Sequence, residues 1–192
     1  PCCGAVMVPK CGSQKVWHWA HKSKLTCDTW WERETEWHRS WKDKFPKDWQ
    51  EVLHFSQDGE KHIADVKTPD GVVVEFQHSK LNHEERKSRE NFYSNMVWVV
   101  DGMRLKTDFK KFDRFGSLVD WRSWKFGEFY FPSIPLNFFP SFNFWKGSPH
   151  VVLFDWGASS NIKSEYWADV WESRLVGKSM MGWFVIEREK FV

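Results

Sequence analysis

The sequence lacks an apolar run long enough to cross a bilayer, and its first residues do not form a basic, apolar, small-residue signal sequence. We therefore expect a cytoplasmic protein with no membrane partner. The sequence also lacks an excess of one charge, since 28 Lys and Arg stand against 26 Asp and Glu, a formal net charge of +2 at pH 7. The net charge therefore neither supports nor excludes DNA as a partner.

Cysteine is absent after residue 27. The cysteines and histidines of the first 27 residues are Cys2, Cys3, Cys11, His18, His21 and Cys27. In a cytoplasmic protein, clustered cysteines beside an H-x-x-H box bind a metal more often than they form disulfides. We predict a zinc knuckle over residues 1–28, with a structural zinc because no carboxylate base lies nearby in sequence. A knuckle without bound metal is the alternative.

The many aromatic residues, 15 Trp and 17 Phe, first form a pattern between Thr29 and Phe45. There the rings recur at helical spacing, and Pro46 follows as a stop, which predicts one amphipathic helix. At 100° per residue, Glu34 falls within the aromatic stripe, whereas Glu32 lies on the far side. We therefore expect the Glu34 carboxylate to face the core, where it needs a metal, a cation or a hydrogen-bond network.

Three strand-like segments follow this helix, and after them a charged helical segment and a fourth strand. Their bounds are Glu51–Phe55, His62–Lys67, Val72–Gln77, Asn82–Asn95 and Met96–Val100. The order helix, three strands, helix, strand predicts an α/β core over residues 29–105.

Residues 106–192 are predicted to form an aromatic-rich extension. A Pro/Phe/Ser-rich loop at Phe131–Pro149 precedes two strand candidates, Val151–Asp155 and Met181–Glu187, around a helical Ser164–Arg174. The extension either adds strands to the sheet or forms a lid over the site, and the sequence leaves both open.

Acidic residues on two adjacent predicted strands are the candidate metal ligands. Glu75, Gln77 and Ser79 alternate onto one face of their strand, and Asp65 lies ten residues before Glu75 on the preceding strand. Two such carboxylates can hold Mg²⁺ or Mn²⁺, which polarises a phosphodiester and lowers the pKa of an attacking water. Gln77 stands where such sites usually have a lysine. Because this pattern also arises by chance, a purely structural role is the alternative.

Two further groups are candidates by helical spacing. His38 lies one turn after Glu34 and is a candidate to orient a metal ligand or to transfer a proton. On the second helix, Arg89 and Tyr93 share a face with Arg86 and could meet a phosphate or the carboxylates. A solvated helix surface is the alternative reading of that face.

Taken together, these segments resemble the competence protein CoiA-like family over about residues 1 to 105. The resemblance rests on His62-Ile63-Ala64-Asp65-Val66, Val74–Ser79, Arg89-x3-Tyr93, Val97–Val100, Glu34-x3-His38-x3-Lys42 and the His18–His21 box. It implies a PD-(D/E)XK nuclease fold, in which helices flank a mixed sheet, and a glutamine in the place of the lysine is similar to what CoiA-like members carry.

The resemblance also implies roles for particular residues. Asp65 and Glu75 would be metal ligands, Glu34 the helical acid, and Gln77 the group that orients water or phosphate. The candidates for substrate binding are Ser79, Arg89 and Tyr93. The zinc ligands would be Cys3, His18, His21 and Cys27, with Cys2 and Cys11 in reserve, and the mate of Cys3 in a C-x-x-C pair would precede Pro1.

We therefore expect metal-dependent hydrolysis of DNA in competence, recombination or defence. Two alternatives remain open. The core could be catalytically silent and bind single-stranded DNA on aromatic surfaces. It could instead be an assembly module of a defence or phage complex, with the C-terminal extension against a protein partner.

Overall fold

The computed structural model of the protein describes most of the chain between residues 6 and 157 and two short segments beyond it. The described residues are 6–12, 17–22, 30, 32–56, 59–116, 140–157, 167–169 and 182–184. Within these residues, no helix combines the length and the apolar character that crossing a membrane requires.

An antiparallel hairpin comes first. Strand β1, Met7–Lys10, pairs with β2, His18–His21, so that Met7 lies opposite His21 and Lys10 opposite His18. Cys11 follows β1 and is exposed. The other cysteines of the predicted knuckle, Cys2, Cys3 and Cys27, lie outside the described residues, as do the side chains of both histidines. The zinc site therefore stays a prediction.

The first helix is shorter than the aromatic spacing predicts. Helix α1 spans Glu36–Lys42, and Thr35 caps it: the Thr35 hydroxyl accepts the backbone N–H of His38, while His38 Nδ1 accepts the backbone N–H of Thr35. This reciprocal capping box satisfies backbone donors that a helix end leaves unpaired. The predicted beginning at Thr29 is therefore wrong, and Glu34 precedes the helix.

The remaining elements confirm the predicted order from the first helix to the fourth core strand. They are a 3₁₀ turn Lys47–Trp49, β3 Gln50–Phe55, β4 Lys61–Lys67, β5 Val73–Gln77, α2 His83–Phe92, β6 Met96–Asp101, a 3₁₀ turn Gly102–Arg104, α3 Lys106–Gly116, α4 Pro140–Trp145, β7 Val151–Asp155, β8 Trp167–Asp169 and β9 Gly182–Phe184. Strands β3 to β9 form one mixed sheet in sequence order. Strands β5, β6 and β7 run parallel, and every other neighbouring pair is antiparallel.

Helices flank this sheet, and successive residues of its strands belong to two separate hydrophobic clusters. One cluster joins Val73, Trp98 and Phe154 to aromatic residues of α2 and α4. The other joins Val74, Phe76, Val99 and Leu153 to Trp41 of α1 and to Phe45 just after it. Both clusters contain fully buried tryptophans, so the abundant rings serve mainly as core.

The C-terminal extension adds strands to the sheet, which confirms the first of its two predicted arrangements. Strand β7 pairs with β6, and β8 and β9 continue the order. The predicted helix Ser164–Arg174 is wrong at Trp167–Asp169, which pairs with β7 as a strand, and the predicted loop Phe131–Pro149 contains α4. Tertiary pairing overrides the local helical spacing here.

The cap of α1 gives a test of where the helix begins. Replacing Thr35 with Ala removes the side-chain acceptor, so we expect the free energy of unfolding to fall by about 1 kcal/mol in chemical denaturation. Ser40→Ala inside the same helix is the control and should be neutral or slightly stabilising, because alanine has the higher helix propensity. A stabilising Thr35→Ala would instead indicate a helix that continues back toward Thr29.

Candidate functional site

An open cleft of about 450 Å³ lies between the segment before α1, α1 with the turn after it, and strands β3 to β5. The charged side chains that line it are Glu32, Glu34, Arg39, Lys42, Asp43, Lys47, Glu51, Asp65, Glu75 and Arg89. Asp65 and Glu75, which the sequence assigns to one site on adjacent strands, therefore share a cleft.

The cleft opens where β4 and β5 part. The last paired residues are Val66 and Val74, so the next step of the same register would set Asp65 opposite Glu75. Instead of a backbone pair, Asp65 Oδ2 accepts the N–H of Phe76 at 2.9 Å, and Glu75 Oε1 accepts the N–H of Asp65 at 3.3 Å. Two carboxylates thus replace backbone acceptors and hold the strands apart at this point.

A third carboxylate approaches from the other side of β4. Glu51 lies between the pairs Gln50–Val66 and Val52–Ala64, which is the register position opposite Asp65. Its φ of 53° falls in the left-handed region, which is uncommon for a residue with a β-carbon. Such strain persists where surrounding contacts over-determine it, and it clusters at functional sites.

The ammonium of Lys42 holds these acids together. Lys42 Nζ lies 2.6 Å from Glu34 Oε1 and 3.7 Å from Asp65 Oδ1, and it also bonds Glu51. Only 9% of the Lys42 side chain is exposed. One buried ammonium thus faces three carboxylates, so the charge around it is negative in sum.

This imbalance shifts two pKa values. Burial and the neighbouring Glu51 carboxylate raise the pKa of Asp65, against the opposing influence of Lys42 and the Phe76 N–H. Asp65 is surrounded by the walls of the cleft but still reaches water, since 24% of its side chain is exposed. For Lys42, burial alone would lower the pKa, but Asp65, Glu34 and Glu51 raise it above its ordinary value. Lys42 is therefore a permanent cation.

Glu75 is buried and pairs with a second cation. Arg89 of α2 lies 3.2 Å from Glu75 Oε2 and donates to Glu85 at 2.6 Å and to the Trp30 carbonyl at 2.9 Å. The expectation that Arg89 meets the site carboxylates is confirmed. These acids outweigh the burial that would by itself lower the pKa of Arg89, so that pKa is raised.

Glu32, rather than Glu34, occupies the inward position before α1. Because α1 begins at Glu36, the helical spacing does not extend back to these residues. The prediction that Glu34 faces the core is wrong, since 43% of its side chain is exposed. Glu32 Oε1 lies 2.8 Å from His38 Nε2. Although burial favours the neutral form, hydrogen bonds from His38 and Ser79 leave the pKa of Glu32 lowered.

His38 and Gln77 meet at this carboxylate. His38 is buried, and because its Nδ1 accepts from Thr35, its Nε2 carries the proton toward Glu32 and the Phe76 carbonyl. Gln77 Nε2 donates to Glu32 Oε2 at 3.3 Å and to the Ser79 carbonyl at 3.1 Å. His38, Gln77 and Ser79 thus surround Glu32, which links the cleft to the end of β5.

Tyr93 does not line the cleft. Tyr93 caps the C-terminal end of α2 and is 1% exposed, because its ring packs in the core beside Trp30, His54 and Phe92. The predicted substrate contact of Tyr93 is therefore wrong. Arg86 is also buried, against the Phe144 carbonyl and Glu90.

Sequence reasoning missed Lys42, Glu51 and Glu32 as members of the site. Lys42 belongs to the Glu34-x3-His38-x3-Lys42 motif of the resemblance and shares a face of α1 with His38, but the sequence assigned it no role. No pattern marks Glu51, because its position depends on a backbone conformation specific to this strand. Glu32 was assigned to the far side of a helix that does not reach it.

The cleft offers a metal ion two carboxylate ligands, Asp65 and Glu75, rather than a complete set of protein ligands. Among the described residues, no three His, Cys, Asp or Glu side chains are grouped so that they could hold a metal ion. Glu34, which turns to Lys42 and Arg39, therefore does not form a three-carboxylate group with Asp65 and Glu75. Asp65 and Glu75 remain the two that share the gap between strands.

Comparison with protein-family models, with curated proteins and with solved structures finds no match to this chain.

The raised pKa of Asp65 predicts a stability effect with a defined sign. The unfolded chain ionises Asp65 at an ordinary pKa of about 4, so the fold loses stability as the pH rises from there to the higher folded-state pKa and does not regain it above. Without added metal, Asp65→Asn should raise the free energy of unfolding near pH 7, and this gain should vanish below pH 4. Urea denaturation across pH 3 to 8 measures it.

Asp43→Asn is the matched control at the rim of the same cleft. The hydrogen bond and charge of Lys47 lower the pKa of Asp43, so its loss should slightly destabilise the protein near neutral pH. Effects of the same sign in both variants would contradict the charge assignment at Asp65.

Proposed function

We propose that this chain is a divalent-metal-dependent nuclease of the PD-(D/E)XK kind, similar to CoiA-like proteins, and that it hydrolyses DNA phosphodiester bonds. The observation that carries the proposal is the meeting of Asp65 and Glu75 where β4 and β5 part, with the Lys42 ammonium 3.7 Å from Asp65. The order of α1, β3 to β5, α2 and β6, with β5 parallel to β6, supports the fold assignment.

The donor set fits Mg²⁺ or Mn²⁺. Both ions prefer oxygen ligands, and Mg²⁺ is commonly bound through one or two carboxylates, with waters and substrate phosphates completing its shell. Asp65 and Glu75 supply those carboxylates, and because burial and the Glu51 carboxylate raise the pKa of Asp65, an added cation beside it would be favourable. The ion, when bound, would polarise the phosphodiester and lower the pKa of the attacking water.

The chain's own residues would then bind and orient the scissile phosphate. Lys42 supplies a positive charge at the cleft, the charge that Gln77 cannot supply as a neutral amide. Gln77, held by Glu32, orients water or phosphate through hydrogen bonds, and Ser79 beside it extends this polar surface. His38 keeps Glu32 in place and can move a proton at Nε2. The cytoplasm is the proposed location.

A catalytically silent, DNA-binding form of the same fold is the second candidate. The contacts that favour it are the ion pairs of Glu75 with Arg89 and of Asp65 with Lys42, which neutralise part of the charge that would attract a metal. This form binds DNA with salt-sensitive affinity but does not cut it.

End-labelled linear, nicked and single-stranded DNA, incubated with the purified chain and Mg²⁺, Mn²⁺ or Ca²⁺, tests the proposal. We expect cleavage with Mg²⁺ or Mn²⁺ that Asp65→Asn and Glu75→Gln each reduce by at least about a thousandfold, because each removes an anionic ligand. Asp43→Asn removes an exposed carboxylate from the same cleft and should cleave like the wild type. If the wild type cuts no DNA with any of these metals, the proposal fails and the catalytically silent, DNA-binding form is favoured instead.

Lys42 gives a second test of the site. Lys42→Gln should slow cleavage by about a hundredfold, because one preorganised charged donor is lost, while Mn²⁺ affinity in calorimetry should not fall. Lys42→Arg keeps the charge and should retain most of the activity if the charge is what matters. Lys47→Gln is the control, since Lys47 lines the cleft but pairs with Asp43. Equal rates for Lys42→Gln and wild type would remove Lys42 from the mechanism.

A further inference from the structure

A second cavity, of about 400 Å³, lies outside the carboxyl ends of the parallel strands β5, β6 and β7. Gln77, Val100 and Phe154 line it at these strand ends, and Leu105, Phe144 and Trp145 complete its apolar wall. In open α/β sheets, the crevice outside the carboxyl ends of parallel strands is the usual place for a ligand. The volume falls within the range of about 300 to 1,000 Å³ that small-molecule sites occupy.

The wall of this cavity contains a buried polar atom that has no partner among the described residues, Gln77 Oε1. The orientation of the amide is fixed, because its nitrogen faces two acceptors, Glu32 Oε2 and the Ser79 carbonyl. Gln77 is only 3% exposed, so its unpartnered oxygen is largely desolvated and a hydrogen bond to it would be favourable. An amide oxygen in this state is a hydrogen-bond acceptor that awaits a donor.

The mouth of the cavity is cationic. Lys80 and Arg104 line it and are exposed, and Arg104 uses one guanidinium nitrogen on the His78 carbonyl, which leaves further donors on the same side chain. The acid that also lines the cavity, Asp101, is engaged by His78 Nδ1 at 2.6 Å and by the Met103 N–H at 2.9 Å. The cavity therefore combines an aromatic wall, one inner acceptor and an outer positive charge.

We propose that this cavity binds an unpaired nucleotide. The base stacks against the aromatic wall and gives one N–H to Gln77 Oε1, and the 5′-phosphate meets Arg104 and Lys80. Every base carries such an N–H, so the site would bind any nucleotide that has a base, without preference for one base over another. The inference rests on the proposed function in one respect: the nucleotide belongs to the strand that is cut.

The two cavities are linked through one hydrogen bond. Gln77 lines the second cavity, and its Nε2 donates to Glu32, which lines the first. Under our proposal, a strand whose unpaired base occupies the second cavity would extend from there toward the adjacent first cavity. This arrangement favours single-stranded or locally unpaired DNA as substrate over a continuous duplex.

Calorimetric titration of the full chain with adenosine 5′-monophosphate, and with ribose 5-phosphate as the probe without a base, tests the site. We expect the nucleotide to bind at least about tenfold more tightly, the range of one base stacked on aromatic side chains. Leu105→Trp, which fills the cavity, should weaken nucleotide binding by at least about fivefold. Val151→Trp is the matched control, since Val151 has similar exposure, 43% against 39%, but lies at the opposite end of β7.

Two further measurements do not depend on the fold of Leu105→Trp. Arg104→Ala should weaken binding of adenosine 5′-monophosphate but not of adenosine, and a duplex with one unpaired adenosine should bind better than one with an abasic residue there. Equal binding of both probes, or of both duplexes, would overturn the inference. If metal-dependent cleavage occurs equally with and without the unpaired base, this inference alone is contradicted. If the nucleotide binds but no DNA is cleaved, the proposed function alone is contradicted.

Discussion

The excess of negative charge around one buried ammonium is the constraint on which the cleft depends. Asp65, Glu51 and Glu34 approach Lys42 from three segments of the chain, and the side chain of Lys42 is almost fully enclosed. With three carboxylates around it, Lys42 stays compensated when one of them is neutralised, whereas removal of the ammonium would leave the acids without their shared counter-charge. Lys42 therefore fixes the distance between α1 and the sheet as well as the electrostatics of the cleft.

The backbone accommodates this cluster by departing from regular pairing on both sides of Asp65. On one side Glu51 adopts a left-handed conformation within β3, and on the other β4 and β5 part so that the Asp65 carboxylate accepts the Phe76 N–H. Regular pairing would set like charges opposite each other on neighbouring strands, which is unfavourable. The irregularities thus relieve repulsion and also open the gap in which a cation or a phosphate can be bound.

The sequence predicts the sheet well and the approach of α1 poorly, for a physical reason. Strands β3 to β6 and helix α2 carry strong local signals, namely β-branched runs, Asp-Gly turns and the Asn82 cap, and the structure confirms them. The segment before α1 has helical spacing, but the reciprocal cap of Thr35 and His38 makes the helix begin at Glu36, seven residues after Thr29. Glu32 and Glu34 therefore exchanged their expected positions. Asp65 and Glu75 were predictable because their register depends only on the strand pairing.

Under the proposed function, Gln77 stands where a lysine would be usual, and its neutral amide has consequences beyond the proposed catalysis. A lysine there would place a second ammonium beside Glu32 and would offer only donors. Glutamine donates to Glu32 through Nε2 and keeps an acceptor, Oε1, on the opposite side of the same amide. Because Lys42 already brings a positive charge to the acids, the cleft does not require a second one from β5. Its nitrogen thereby contacts Glu32 of the first cavity while the residue lines the second, and under our proposal its unpartnered oxygen is the acceptor for the base.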